Sequence, residues 1–535
     1  MRPDPPQGGT ADNTVHPARP RCQNGQDASN IADEGIRRVV RTPASSVWAR
    51  RRGGLCAAAA LVVAQIASGC AATVPGILLS GPDQPFRVAG LVAEDGASGV
   101  RDNAPAPSGA VRGSDNGPVD RLAAVSIDDI TEYWRQAYPH SLHGTFAPVG
   151  TLVSYDSTNP SSPVLCGETT YDEVNAFFCP RDDLIAWDRA VMVPVTKQYF
   201  GETAVAGLFA HEYGHAIQEM ADLVERDTPT LVAEQQADCF AGSYLRWVAE
   251  GRSSRFTLST GDGLNHVLAG AITIRDPVIT PRRMKLLEDG HGTALDRVSA
   301  VQKGFSAGPS ACATISMEEI TRRRGDLPLV LQAESTGALQ SGQVAITEET
   351  LNTLVEILGK IFAPEQPPAL AVDASRVSCA SHPTPDTPAW YCPSANTVVV
   401  NLDALQKMGT PADESNHVLL QGDDTALSVV TSRYLLALQR ERGLPLDSAT
   451  TALRTACLTG FAQRAMAKHV DVASGKQLQL TAGDLDEAVA GLLSNGLVAS
   501  DVNNDTVPAG FTRIAAFRSG LLNSTADSCY QRYLP

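Results

Sequence analysis

The sequence predicts a helix-rich α+β protein built as a tandem duplication of one domain, with the second copy degenerate. Three observations carry this. Cys166 and Cys179 stand 13 residues apart, and so do Cys379 and Cys392. Matching segments follow in one order at an offset of 213 to 222 residues: FFCPRDDLIAWDRAVM faces WYCPSANTVVVNLDAL, and Cys239-Phe240-Ala241-Gly242 faces Cys457-Leu458-Thr459-Gly460. LSTGDGLNHVLAG from Leu258 likewise faces LTAGDLDEAVAG from Leu480. Finally, the apolar pattern has mostly helical period, broken by short strands.

Each copy is expected to open with an amphipathic helix, at Ile127 to Tyr138 and at Thr347 to Phe362. Strands follow near the first cysteine pair, including Leu184 to Trp187 and Thr397 to Asn401. Helices over Glu202 to Asp222, Thr230 to Glu250 and Gly263 to Ile272 complete the first copy. The expected boundaries are 119–315 and 344–535 for the two copies, with 316–343 as linker.

Before them, Arg50, Arg51 and Arg52 precede an apolar run from Leu55 to Ala67, the plan of an export signal too short to span a bilayer. It ends in Ile66-Ala67-Ser68-Gly69-Cys70, which resembles a bacterial lipobox and implies cleavage before a lipid-bearing Cys70. Residues 1–69 are therefore read as amino-terminal extension and signal. Residues 70–118, rich in Gly, Pro, Ala, Ser and Asp, read as a flexible tether. The expected location is the outer face of the cell membrane. A formal charge of −16 without a basic run excludes a nucleic-acid partner.

Eight cysteines follow Cys70, an even number that in an exported chain reads as disulfides. The repeat favours pairing within each copy: Cys166–Cys179 across a β-hairpin and Cys239–Cys312 from a helix to the tail, then Cys379–Cys392 and Cys457–Cys529. Cys239 as a metal ligand is the rival reading, weakened because Cys457 persists in a copy without other ligands.

The chemistry sits in His211-Glu212-Tyr213-Gly214-His215. Histidines four apart on a helix lie one above the other, so both can ligate a single Zn²⁺ while Glu212 acts as base beside them. Zinc in a catalytic site needs a third protein ligand and an open position. Glu234 on the next helix is the candidate ligand, and Asp238 one turn later is the carboxylate to fix a histidine tautomer. His291, Tyr213 and Tyr244 are candidates to stabilise an oxyanion.

HEYGHAIQ, EQQADCFAG and HGTALDRV together resemble the bacterial neutral zinc metallopeptidases, and within them the actinobacterial lipoprotein peptidases of LpqM-like type. The resemblance covers about Cys166 to Cys312. It implies a zincin-like domain, one zinc ion in the first copy, Glu234 as third ligand and a peptide or protein substrate. Gln235 departs from the leucine usual there. In the second copy Ser432, Arg433 and Leu436 face His211, Glu212 and His215, and Ala452 and Ala456 face Glu234 and Asp238. The duplicate has lost the metal chemistry. Arg297 has a counterpart in Arg513 and reads as structural; His291 has none. A surface-anchored zinc-containing scaffold without turnover is the alternative, and a partner for the second copy cannot be named.

Overall fold

The computed structural model describes residues 83–534, apart from 334–337, 374, 376, 380–385 and 415–417. The signal segment and Cys70 lie outside the described residues. Among those described, no helix is long and apolar enough to cross a membrane.

Residues 83–118 do not behave as a tether. β1 (Arg87–Val88) and β2 (Leu91–Val92) form an antiparallel ladder, and β3 (Gly99–Val100) pairs with Phe256–Thr257. β4 (Val111–Arg112) adds a parallel edge to the main sheet. Val88 is fully buried, and Arg101 Nε donates to the Phe256 carbonyl at 2.9 Å. Pairings of two residues leave no periodic signal in sequence, so a Gly/Pro-rich strap reads as a linker.

α1 (Pro118–Ser141) starts with proline in its first turn, where the missing N–H has no helical acceptor to lose. β5 (Thr151–Tyr155), the hairpin β6 (Val164–Leu165) with β7 (Glu168–Thr169), β8 (Ala176–Cys179) and β9 (Leu184–Asp188) follow. The main sheet has the order β4-β5-β9-β8; β8 runs antiparallel to β9 and forms one edge. Period-two alternation divides β9: Ile185 and Trp187 join the main core, whereas Leu184 and Ala186 join a small cluster with Val153 and Tyr155. Trp187 Nε1 donates to Asp120 at 2.9 Å and fixes α1 to the sheet.

α2 (Met192–Phe200), α3 (Glu202–Met220) and α4 (Thr230–Ala249) come next. After β10 (Phe256–Thr257) come α5 (Asp262–Thr273), the one-turn α6 (Leu286–Asp289), α7 (Ala294–Ala307) and the short α8 (Pro309–Cys312). Residues 316–343 are more than a linker, since they form α9 (Met317–Arg324), whose Ile320 and Arg324 are buried.

The second half runs α10 (Glu348–Phe362), β11 (Ala369–Ala371), β12 (Ala389–Cys392), β13 (Thr397–Val400) and α11 (Leu402–Met408). It continues through α12 (Asp423–Glu441), α13 (Ala449–Met466), α14 (Asp484–Ser494), α15 (Gly510–Leu522) and α16 (Asp527–Arg532). Four disulfides are formed: Cys166–Cys179, Cys239–Cys312, Cys379–Cys392 and Cys457–Cys529. Cys166 occupies the turn of the β6–β7 hairpin and Cys179 ends β8, so this bond ties a turn to a strand end and does not cross one hairpin. A Cβ at Gly304 would collide with the Cys239 carbonyl, and one at Gly520 with the Cys457 carbonyl. Glycine lets α7 lie on α4, and α15 on α13, at backbone contact.

Asp423, Asp424, Asp484 and Glu487 are buried together where α12 and α14 begin. Their hydrogen bonds come from amides and hydroxyls: Val344 N to Asp423, Gln463 Nε2 to Asp424, Thr481 N to Asp484 and Asp424 N to Glu487. Burial pushes Asp423 up to about 6, and burial reinforced by neighbouring carboxylates pushes Asp484 to about 7 and Glu487 to about 8. Carboxyls with raised folded values contribute stability that is complete below about pH 4 and lost as pH rises through 6 to 8. The protein should therefore unfold at a lower temperature at pH 8.5 than at pH 5. Glu487→Gln, neutral and still able to accept from Asp424 N, should recover on the order of 3 kcal/mol at the higher pH. Equal pH slopes for the two proteins in thermal melts would refute this.

Candidate metal centre

α3 and α4 meet at HEYGH because residue 214 has no side chain. A Cβ on Gly214 would sit 2.9 Å from Ala237 Cα, and Ala237 lies between Glu234 and Asp238. The close approach brings Glu234 to both histidines. His211 Nε2 lies 3.1 Å from Glu234 Oε2, and His215 Nε2 lies 3.5 Å from Glu234 Oε1. The three donor atoms fall within 4.8 Å of one another.

Hydrogen bonds behind the rings fix their tautomers. His211 Nδ1 is 2.8 Å from Asp238 Oδ1, which can only accept, so this nitrogen carries the proton. His215 Nδ1 is 2.9 Å from Gln218 Oε1. Gln218 uses its Nε2 to donate to the Ala233 carbonyl at 2.7 Å and to Gln236 Oε1 at 3.0 Å, which orients its oxygen toward the ring. Both Nε2 atoms thus face Glu234. Glu234 Oε2 is buried and, despite its nearness to His211, makes no hydrogen bond. This is how co-ligands of one cation are disposed, and two imidazoles with a carboxylate and an open side suit Zn²⁺.

The electrostatics agree. Burial opposes charge on His211, but the Asp238 and Glu234 carboxylates outweigh it and hold the ring up at about 10. Burial also works against Glu234, yet His211, His215 and His291 keep it well below the usual carboxylate range. Burial and the nearby His211 push His215 down. The group is built to hold positive charge between its members.

Glu212 projects from the same turn. Its Oε2 accepts from Phe178 N of the edge strand β8 at 3.1 Å, and burial pushes its carboxyl up to about 7 despite the opposing pull of His211. His291 stands across the site, its side chain 56% exposed, with Nε2 3.9 Å from Glu234 Oε2 and Nδ1 3.6 Å from Asp276 Oδ1. Residues 84–315 match the family described as "Putative neutral zinc metallopeptidase". No curated protein and no solved structure matches the chain. The matched peptidase-family segment takes in the strap at 84–118 as well as the helices that carry the site.

Two sequence candidates are removed from this site. Tyr213 is fully buried and its hydroxyl accepts from Thr131 at 3.2 Å, while Tyr244 is fully buried and donates to Asp129 at 2.8 Å. Neither can meet a substrate. Two residues gain a part. Arg297, read as structural, donates from Nη2 to Asp238 Oδ1 at 2.8 Å and so supports the carboxylate behind His211. Gln218 lies three residues after His215 and so on its face of the helix, and that spacing is its signal in the sequence. Within the peptidase-family segment, Gln218→Leu should lower zinc affinity on the order of 10- to 100-fold by freeing the His215 tautomer. Competition with a chromophoric chelator measures this; an unchanged affinity would remove Gln218 from the site.

Proposed function

We propose that the chain is a zinc metallopeptidase hydrolysing peptide bonds at the cell envelope, with His211, His215 and Glu234 as ligands. The observation that carries this is Glu212: a carboxylate beside the ligands, not one of them, aimed by a strand amide. A binding scaffold has no use for such a base. When bound, zinc supplies Lewis-acid polarisation of a carbonyl and makes water acidic near neutral pH. Glu212 takes a proton from the attacking water and passes it to the leaving amine. His291 donates toward the oxygen that gains charge. β8 is a sheet edge, with the Phe178 amide turned outward to Glu212, and an extended peptide can lie along such an edge.

We read residues 344–535 as a duplicate of the first domain that has lost the metal site. The cysteine separations, 13 and 13 then 73 and 72 residues, and the matching helix contacts support it. So does the content of α12 and α13 where ligands would stand: Leu436, Ala452 and Ala456 are fully buried in apolar core, and Arg433 donates to Ser500 Oγ and the Leu497 carbonyl. Anchorage through lipid on Cys70 is the reading of location; an unmodified Cys70 in the membrane-extracted protein would exclude it.

The test of the activity is zinc analysis of the full chain with cleavage of a peptide library before and after chelation. One zinc per chain is expected, with cleavage that stops on chelation and returns with zinc. A chain that holds no zinc, or that cleaves without it, ends this reading.

A further inference from the structure

The connection between α5 and α7 carries His291, and the second half of the chain grips it at both ends. At its start the side chain of Arg275, only 8% exposed, forks onto Glu414 with nitrogen–oxygen distances of 2.7 and 3.0 Å. Its Nε lies 3.4 Å from Asp486 Oδ2. At its end Asp486 Oδ1 accepts from Ala294 N, the first amide of α7, at 3.0 Å. One carboxylate therefore reaches both ends of the connection, and both carboxylates belong to residues 344–535.

Between these ends the loop is closed on itself. Asp276 N donates to the Gly292 carbonyl at 3.0 Å, and Gly292 N donates back to Asp276 Oδ2 at 2.7 Å. A side chain at Gly290 would collide with that same carboxylate. The remaining oxygen of Asp276 faces His291 Nδ1, and the ring's other nitrogen faces Glu234. Arg275 is thus one residue from the group that orients His291, and Ala294 is three residues from His291 itself.

Stability alone does not account for the grip. Burial pushes Asp486 up to about 6 even with Arg275 beside it. A buried ion pair of this kind commonly contributes less than apolar residues of the same volume. What it supplies is a fixed geometry, and the geometry fixed is that of the loop over the metal centre.

We propose that residues 344–535 act as a clamp on the first domain, with Arg275, Glu414 and Asp486 as positioning residues that set His291 against Glu234. The consequence for turnover rests on the peptidase reading; the clamp itself does not.

The test uses the full chain and two variants, Arg275→Gln and the milder Glu414→Gln at a half-exposed position. Hydrogen exchange should rise about tenfold or more across residues 276–292 while α3 and α4 stay protected. On the best library peptide kcat should fall about tenfold with KM within twofold and zinc content unchanged, and in a His291→Ala background neither variant should cause further loss. Unchanged exchange over 276–292, or an equal fall in both backgrounds, overturns the clamp. If the wild-type chain cleaves no peptide, the peptidase reading fails while exchange still decides the clamp.

Discussion

Glu212→Gln is expected to keep one zinc per chain and to lose peptide hydrolysis by a factor on the order of 10² to 10⁴. Zinc is retained because Glu212 is outside the ligand set: the donor atoms that converge are those of His211, His215 and Glu234. The glutamine fits because its oxygen can still accept from Phe178 N, so the edge strand and α3 keep their register. What disappears is the capacity to take up a proton, which the amide lacks at any working pH. Burial already brings the native carboxyl to about 7, close to where a general base works best. Metal analysis and steady-state cleavage on the same preparation separate the two roles. Turnover within tenfold of wild type, with zinc bound, would remove Glu212 as base. Loss of zinc together with activity would place it among the ligands.

How far this was legible in the sequence depends on the length scale of each signal. The site's centre was local: histidines four apart on one helix, and a Glu and an Asp four apart on the next, are spacings that helix geometry turns directly into proximity. Helices α3, α4, α5 and α10 were legible for the same reason, to within two residues at their ends, whereas α1 begins at Pro118, nine residues before the expected Ile127. The strap at 83–118 was not, because strands of two residues carry no period and their partners lie far away, as with Gly99–Val100 and Phe256–Thr257. The tyrosines failed on direction. Tyr213 follows Glu212 in sequence, but one residue is 100° around a helix, and that turns its hydroxyl into the core toward Thr131. Arg297 failed for a subtler reason. Its match to Arg513 in sequence says nothing of what either side chain touches.

Arg297 and Arg513 make that last point testable. Arg297 is 1% exposed, and it shares the buried Asp238 Oδ1 with His211 Nδ1. Arg513 is also buried, but it donates to the Leu493 carbonyl at 3.1 Å. Burial alone pushes Arg513 down to about 10, with no carboxylate to oppose it. Arg297→Met should therefore leave Asp238 as a buried charge without its cation, a loss of about 3–5 kcal/mol in stability. It should also weaken zinc binding, because Asp238 would lose the partner that positions it and hold His211 less firmly. Arg513→Met removes a desolvated cation and its bond to one carbonyl. It should cost at most about 1–2 kcal/mol and leave zinc affinity as it was. Denaturant unfolding of both variants, with chelator competition for zinc, gives the comparison. If the two lose equal stability and neither changes zinc affinity, Arg297 serves the shared frame alone. If only Arg297→Met moves the metal, Arg297 serves the metal centre through Asp238 and Arg513 has no such part.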